Sequence, residues 1–104
     1  MSDFVRVAAV SEIPNPGKIA IPVGDTMIAL FHVDGQFYAL DDVCTHDDGP
    51  LAEGTLCGMT IACPRHGAKF DIRTGAALTM PARKPTRSHP VEVRGDEVFV
   101  KVEE

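Results

Sequence analysis

Apolar and polar residues alternate in short runs along most of the chain, and most of these runs end at glycine, proline or aspartate. A period of two is typical of strands that bury one face, and no segment shows the 3.6-residue period of a helix. The predicted strands are residues 4–8, 18–23, 26–33, 36–40, 59–62, 68–72, 91–94 and 97–102. Several short strands without helices predict an all-β fold, an antiparallel sandwich or barrel.

The strongest hairpin signal is Asp34-Gly35, which lies between the third and fourth predicted strands. Both central residues of a type I′ turn need a positive φ, and Asp-Gly meets that need. The alternation along residues 36–40 predicts two faces, with Phe37 and Ala39 on one and Tyr38 and Leu40 on the other.

Two stretches lack a strand pattern. Residues 41–58 are polar and rich in aspartate and glycine, which predicts a loop with at most one short turn. Residues 76–90 carry three prolines and scattered basic side chains, which predicts an irregular connection.

The length of 104 residues predicts one domain, residues 1–104, with a modest core from the 44% of residues that are hydrophobic. No apolar run reaches the length of a membrane span, and the N-terminus lacks a signal-peptide layout, so we expect a cytoplasmic protein. The net charge of −5 argues against binding nucleic acid, which needs clustered cations. It is compatible with docking to a basic patch on a protein partner.

Two pairs of metal-binding side chains stand out, Cys44 with His46 and Cys63 with His66. Three cysteines in a chain without a secretion signal favour metal binding over a disulfide framework. Two thiolates and two imidazoles suit zinc or an iron–sulfur centre and suit magnesium or calcium poorly.

A structural zinc site is one interpretation of these four residues. Zinc fingers usually pair cysteine with cysteine and histidine with histidine, however, whereas both pairs here are mixed. A [2Fe–2S] cluster explains the mixture if the cysteines hold one iron and the histidines the other, because each pair then reaches both irons. Such a cluster is neutral when oxidised and carries one negative charge when reduced, so two histidines in place of thiolates raise its potential.

The segment C-T-H-x16-C-P-R-H-G, with Gly-Pro-Leu after the first pair, resembles the signature of Rieske iron–sulfur proteins. The resemblance implies a Rieske-like fold with a two-loop cluster-binding subdomain at about residues 43–69. It also implies that Cys44 and Cys63 bind the inner iron and that His46 and His66 bind the outer iron.

Within that family, the chain is similar to the ferredoxin components of bacterial aromatic-ring dioxygenase systems. The similarity implies an electron carrier that takes single electrons from an NAD(P)H-dependent flavoprotein reductase to a terminal ring-hydroxylating oxygenase, in aromatic hydrocarbon catabolism. The chain is too short for the oxygenase's catalytic domain, so we expect no enzymatic activity. The alternatives are a small Rieske-type subunit of a reductase such as nitrite reductase, and a zinc-binding structural module.

The departures from the respiratory Rieske proteins indicate a low potential. Those proteins have an extra cysteine in each loop, where this chain has Gly49 and Arg65. They also carry a serine and a tyrosine whose hydroxyls hydrogen-bond the cluster sulfurs, where this chain has Ala68 and Phe70. Without these donors the reduced cluster is less stabilised, and we expect a potential of roughly −150 mV.

The other residues with reactive or charged side chains have simpler interpretations. We interpret Cys57 as a small buried hydrophobe or an idle loop thiol, His32 as a structural histidine and His89 as a surface residue. Four aspartates flank the first ligand pair and are either solvated loop residues or part of a docking surface: Asp41, Asp42, Asp47 and Asp48. Three basic residues are interpreted as a solvated loop, Arg83, Lys84 and Arg87.

Overall fold

The computed structural model describes residues 4–43, 50–64, 67–79 and 85–102. Its strands are β1 Val5–Ala9, β2 Gly17–Val23, β3 Thr26–Val33, β4 Gln36–Asp41, β5 Thr55–Cys57, β6 Thr60–Ala62, β7 Lys69–Asp71, β8 Ser88–His89, β9 Val91–Arg94 and β10 Glu97–Val100. Two single 3₁₀ turns accompany them, Val10–Glu12 and Leu51–Glu53. Over these ranges no helix is long and apolar enough to cross a membrane.

The strands form three antiparallel sheets. The central sheet has the order β2-β3-β4-β8. The terminal sheet, β1-β10-β9, pairs strands from the beginning and the end of the chain. In the site sheet, β5-β6-β7, the predicted ligand Cys63 directly follows the middle strand, β6. The predicted all-β antiparallel fold is confirmed.

Both faces of the central sheet are buried, and each packs against one of the other sheets. Successive side chains on a strand point to opposite faces, so β3 contributes to two cores. Ala29 and Phe31 lie in the site core, which also contains Ile61 and Phe70 of the site sheet. The terminal core is a separate group of buried residues, Ala8, Ile13, Ile28, Leu30, Ala39, Val98 and Val100. This double burial explains why residues 28–33 of β3 are all buried, including the polar His32.

The strand and turn predictions are confirmed for the central hairpin. Residues 26–33 form β3 with the predicted bounds, and the turn between β3 and β4 has φ of 53° at Asp34 and 76° at Gly35. The two faces of β4 also divide as predicted, since Phe37 and Ala39 join the terminal core while Tyr38 and Leu40 join the site core.

The two stretches predicted to be irregular each contain a short strand. Residues 41–58 include β5, so the prediction of a loop with at most one turn is wrong there. Residues 76–90 include β8, which pairs with the end of β4. Strands of three and two residues are too short to show a period, and here pairing with a neighbouring strand defines them.

Candidate metal centre

The second predicted ligand loop leaves the end of β6 at Cys63. This residue is 3% exposed and belongs to the site core. The other three predicted ligands, Cys44, His46 and His66, lie outside the described residues.

Backbone hydrogen bonds close the base of this second loop. The Cys63 N–H donates to the carbonyl of Ala68 over 2.7 Å, and the Gly67 N–H donates to the carbonyl of Cys63 over 3.1 Å. Gly67 has φ of +71°, in the left-handed region that glycine adopts without a steric penalty. These contacts fix the backbone of Cys63 relative to β6 and β7.

The first predicted loop is closed at its base by a side chain. One carboxylate oxygen of Asp42, Oδ1, accepts a hydrogen bond of 2.7 Å from the backbone N–H of Ala52. The Asp42 N–H in turn donates to the carbonyl of Met27 at the start of β3, over 2.9 Å. Asp42 therefore anchors the chain on both sides of residues 43–51, and its interpretation as a merely solvated loop residue is wrong.

The bases of the two loops meet at the site sheet. Leu51, directly after the first loop, is fully buried in the same core as Cys63 and Ala68. Gly54 follows and packs so closely on β6 that a Cβ at this position would overlap the carbonyl oxygen of Ala62. Because Ala62 precedes Cys63, this contact ties the end of the first loop to the start of the second.

A charged network lies at the end of β4, three positions before Cys44. Asp41 accepts hydrogen bonds of 2.7 Å from Nε2 of His89 and from Nε of Arg87. The His89 side chain is 0% exposed and that of Asp41 is 15% exposed. The surface interpretation of His89 and the solvated interpretation of Asp41 are therefore wrong, whereas the Arg87 side chain is 51% exposed, in agreement with its solvated interpretation. No sequence signal marks the network, since its members are separated by 46 and 48 positions.

Two other residues with reactive side chains, His32 and Cys57, lie within the described ranges. His32 is buried, donates from Nδ1 to the carbonyl of Ile13 over 2.9 Å and stacks on Phe37, which confirms its structural interpretation. Cys57 is exposed at the end of β5, so its interpretation as a buried hydrophobe is wrong. The predicted loop residues Asp47, Asp48, Gly49, Arg65, Arg83 and Lys84 lie outside the described ranges.

One ion pair lies just beyond β7. The Arg73 guanidinium donates to both carboxylate oxygens of Asp71, with 2.9 Å between Nη2 and Oδ2. These hydrogen bonds from Arg73 hold the pKa of Asp71 below its usual value, against the opposing effect of burial. The same pairing raises the pKa of Arg73.

The described residues fit an iron–sulfur centre. A buried thiol at the edge of an apolar core offers a sulfur ligand on a rigid hairpin, shielded from water on the core side. Ala68 and Phe70, also in that core, are fully buried and bring no hydroxyl to it. The donor set of two cysteines and two histidines is the one that holds a [2Fe–2S] centre of the histidine-containing type.

Comparison with known proteins points the same way. Residues 3–90 match the family described as Rieske [2Fe-2S] domain. The 3-phenylpropionate/cinnamic acid dioxygenase ferredoxin subunit of Photorhabdus laumondii is 40% identical over 99 residues, 94% of this chain and 93% of that one. The ferredoxin of carbazole 1,9a-dioxygenase from Nocardioides aromaticivorans IC177 superposes with a TM-score of 0.91 at 30% identity, covering 93% of this chain and 95% of that one.

A further solved structure is a complex of reduced oxygenase and oxidized ferredoxin in carbazole 1,9a-dioxygenase. One of its chains superposes with a TM-score of 0.89 at 37% identity, and the alignment covers 94% of this chain and 92% of that one.

Proposed function

Because this chain belongs to the Rieske [2Fe–2S] domain family, we propose that it is the ferredoxin component of an aromatic-ring-hydroxylating oxygenase system. It binds one Rieske-type [2Fe–2S] cluster, which supplies a site that gains and loses one electron. The chain carries electrons and is not itself an enzyme. The observation that carries this function is its similarity, over nearly the full length of both chains, to ferredoxin subunits of such systems.

The proposed ligands are Cys44 and Cys63 for the inner iron and His46 and His66 for the outer iron. The burial of Cys63 supports its place at the inner iron, because a ligand on the core side is the one shielded from water. The meeting of both loop bases at the site sheet supports a centre shared between the loops, at about residues 43–69 of a single domain spanning 1–104.

The proposed partners are a flavoprotein reductase, which donates the electron, and a terminal oxygenase, which accepts it. The solved complex of an oxygenase with a similar ferredoxin supports the second partner. We further propose a cytoplasmic location, as for a soluble carrier between two enzymes. The net charge of −5 supports docking to basic surfaces on these partners.

A pair of matched substitutions tests the ligand assignment. In Cys63→Ser a proposed ligand is lost, whereas Cys57→Ser makes the same chemical change at an exposed strand residue of the site sheet. We expect Cys63→Ser to lose most of its iron, acid-labile sulfide and red-brown absorption, and Cys57→Ser to keep all three. A Cys63→Ser variant with full iron and an unchanged spectrum would show that the assignment is wrong.

Reconstitution tests the function itself. The purified holo-chain, mixed with NADH, a flavoprotein ferredoxin reductase and a terminal oxygenase of this class, should relay electrons and support product formation. Omission of the chain should remove most of that activity. A colourless protein that contains zinc would instead establish the structural-module alternative, and a red-brown protein that relays no electrons to any such oxygenase would contradict the carrier function.

A further inference from the structure

The Asp41 carboxylate joins two parts of the chain that are far apart in sequence. It accepts hydrogen bonds from the buried His89 side chain and from Arg87, whose side chain is 51% exposed. The backbone reinforces the contact, because the Asp41 N–H donates to the carbonyl of Arg87 over 2.9 Å. Residues 87–89 thus bind both the side chain and the main chain of Asp41.

Further hydrogen bonds continue from this network to the second ligand loop. The N–H of Thr86, next to Arg87, donates to the carbonyl of Gly75 over 2.9 Å, and the Gly75 N–H donates to the carbonyl of Asp71 over 2.7 Å. Asp71 ends β7, the strand that leaves the second loop, while Asp41 ends β4, which leads into the first loop. These hydrogen bonds therefore connect β7, which follows the second loop, with the end of β4, which precedes the first loop.

Asp41 is also close in sequence to the proposed centre, three positions before Cys44. Three residues of extended chain span at most about 11 Å, which bounds the separation between the Cα atoms of Asp41 and Cys44. This separation is comparable with the Debye length of about 10 Å at 0.1 M ionic strength. Since the Asp41 side chain is only 15% exposed, ions screen it less than they screen a surface charge.

We propose that Asp41 is a positioning residue for the metal centre and that its ion pair with Arg87 sets the local charge felt by the centre. The inference rests on the proposed function, since it requires a bound redox centre. The reduced centre carries one more negative charge than the oxidised one, so a nearby negative charge disfavours reduction. Arg87 offsets the charge of Asp41, and the balance between the two fixes the local field.

Two substitutions that remove opposite charges test this inference. Arg87→Gln leaves Asp41 without this cation, so reduction becomes harder; Asp41→Asn removes the negative charge, so reduction becomes easier. At a fixed applied potential near the parent midpoint, we expect the ratio of reduced to oxidised protein to fall about twofold in the first variant and to rise about twofold in the second. Arg87→Lys keeps the positive charge and should restore the parent ratio.

Arg94→Gln is the matched control, because it removes one positive charge from another exposed ion pair. Arg94 ends β9 beside Gly95, and Gly95 lines a cavity together with Gly35 and Gln36 at the opposite end of β4 from Asp41. Loss of the Arg94 charge should change the ratio of reduced to oxidised protein much less than loss of the Arg87 charge. The measurement is a spectroscopic redox titration of the holo-protein at one pH, with a melting curve for each variant.

The results separate this inference from the proposed function. A red-brown chain in which Arg87→Gln leaves the ratio unchanged or raises it would overturn the inference and leave the carrier function standing. A parent chain without an iron–sulfur centre would overturn the function first. If Asp41→Asn does not fold, Arg87→Gln and Arg87→Lys still decide the outcome, because the Arg87 side chain is half exposed.

Discussion

Substituting Gly54 with alanine perturbs the contact that holds the two ligand loops together at their base. The backbone of Gly54 has φ of −81° and ψ of −167°, which alanine adopts without strain. The added Cβ, however, would overlap the carbonyl oxygen of Ala62 and lie 3.0 Å from its carbonyl carbon. The nearest atoms belong to the backbone of Ala62 and Leu51, so no flexible side chain can move away to make room.

The size of the effect follows from these contacts. Carbon atoms are at their best separation at about 3.5–4.0 Å, so β5 must move away from β6 by the better part of an ångström or more. Overpacking of this kind costs about 1–3 kcal/mol, and weakening one hydrogen bond between β5 and β6 adds about 0.5–1.5 kcal/mol. Against this, alanine lowers the entropy of the unfolded chain, which returns about 0.4–1 kcal/mol.

With the middle of each range, the net destabilisation is about 2–3 kcal/mol. For a domain near 100 residues, 1 kcal/mol lowers the melting temperature by about 4–8 °C, so Gly54→Ala should lower it by roughly 10–20 °C. Because Ala62 directly precedes Cys63, we also expect the purified variant to hold less iron per chain. Differential scanning calorimetry and iron analysis of the same sample measure both effects.

Gly58→Ala is the matched control at the other end of β5. Gly58 has φ of +58°, and nothing lies within 4 Å of the position of its Cβ. Alanine there costs about 1–2 kcal/mol of backbone strain but displaces no neighbour. We expect a lower melting temperature with full iron content. A Gly54→Ala variant that melts within about 2 °C of the parent and holds full iron would refute the close-packing argument.

Two further predictions concern the potential and the pH dependence of stability. Ala68→Ser together with Phe70→Tyr should restore the missing hydroxyl donors. Each hydrogen bond contributes about 1–3 kcal/mol, which raises the midpoint potential by roughly 40–130 mV for a one-electron centre. A redox titration with an unchanged midpoint would contradict the assigned role of these two positions. The pKa of Asp71 is lower in the folded state than its usual value of 3.8. Its pairing with Arg73 therefore stabilises the fold above pH 3.8, and this stabilisation disappears as the pH falls through the folded pKa. Arg73→Gln should therefore melt slightly below the parent at pH 7 and equally with it in strong acid, and a difference that persists in acid would show another cause.

The sequence predicted the parts of the fold that depend on local pattern. The central hairpin combines a buried strand, an Asp34-Gly35 turn and an alternating return strand, and each of these signals acts over a few residues. The four candidate ligands were equally visible, because chelating pairs at short spacing are a local property. The family comparison then confirmed the kind of centre that they predict.

What the sequence did not predict depends on contacts between distant segments. β5 and β8 exist because β6 and β4 offer them partners, and neither strand is long enough to show a period. The Asp41 network brings together residues 46 and 48 positions apart. A histidine beside a proline in a basic stretch reads as surface until the strand that buries it is in place.

The separation of the two cores has a consequence for how the protein matures. The site core and the terminal core share the central sheet but have no described buried residue in common. Local opening of a protein follows such cooperative units, so the site sheet can unfold while the terminal sheet stays packed on the other face. We therefore expect the metal-free protein to keep the terminal sheet packed while the site sheet opens, which leaves Cys63 accessible for metal insertion.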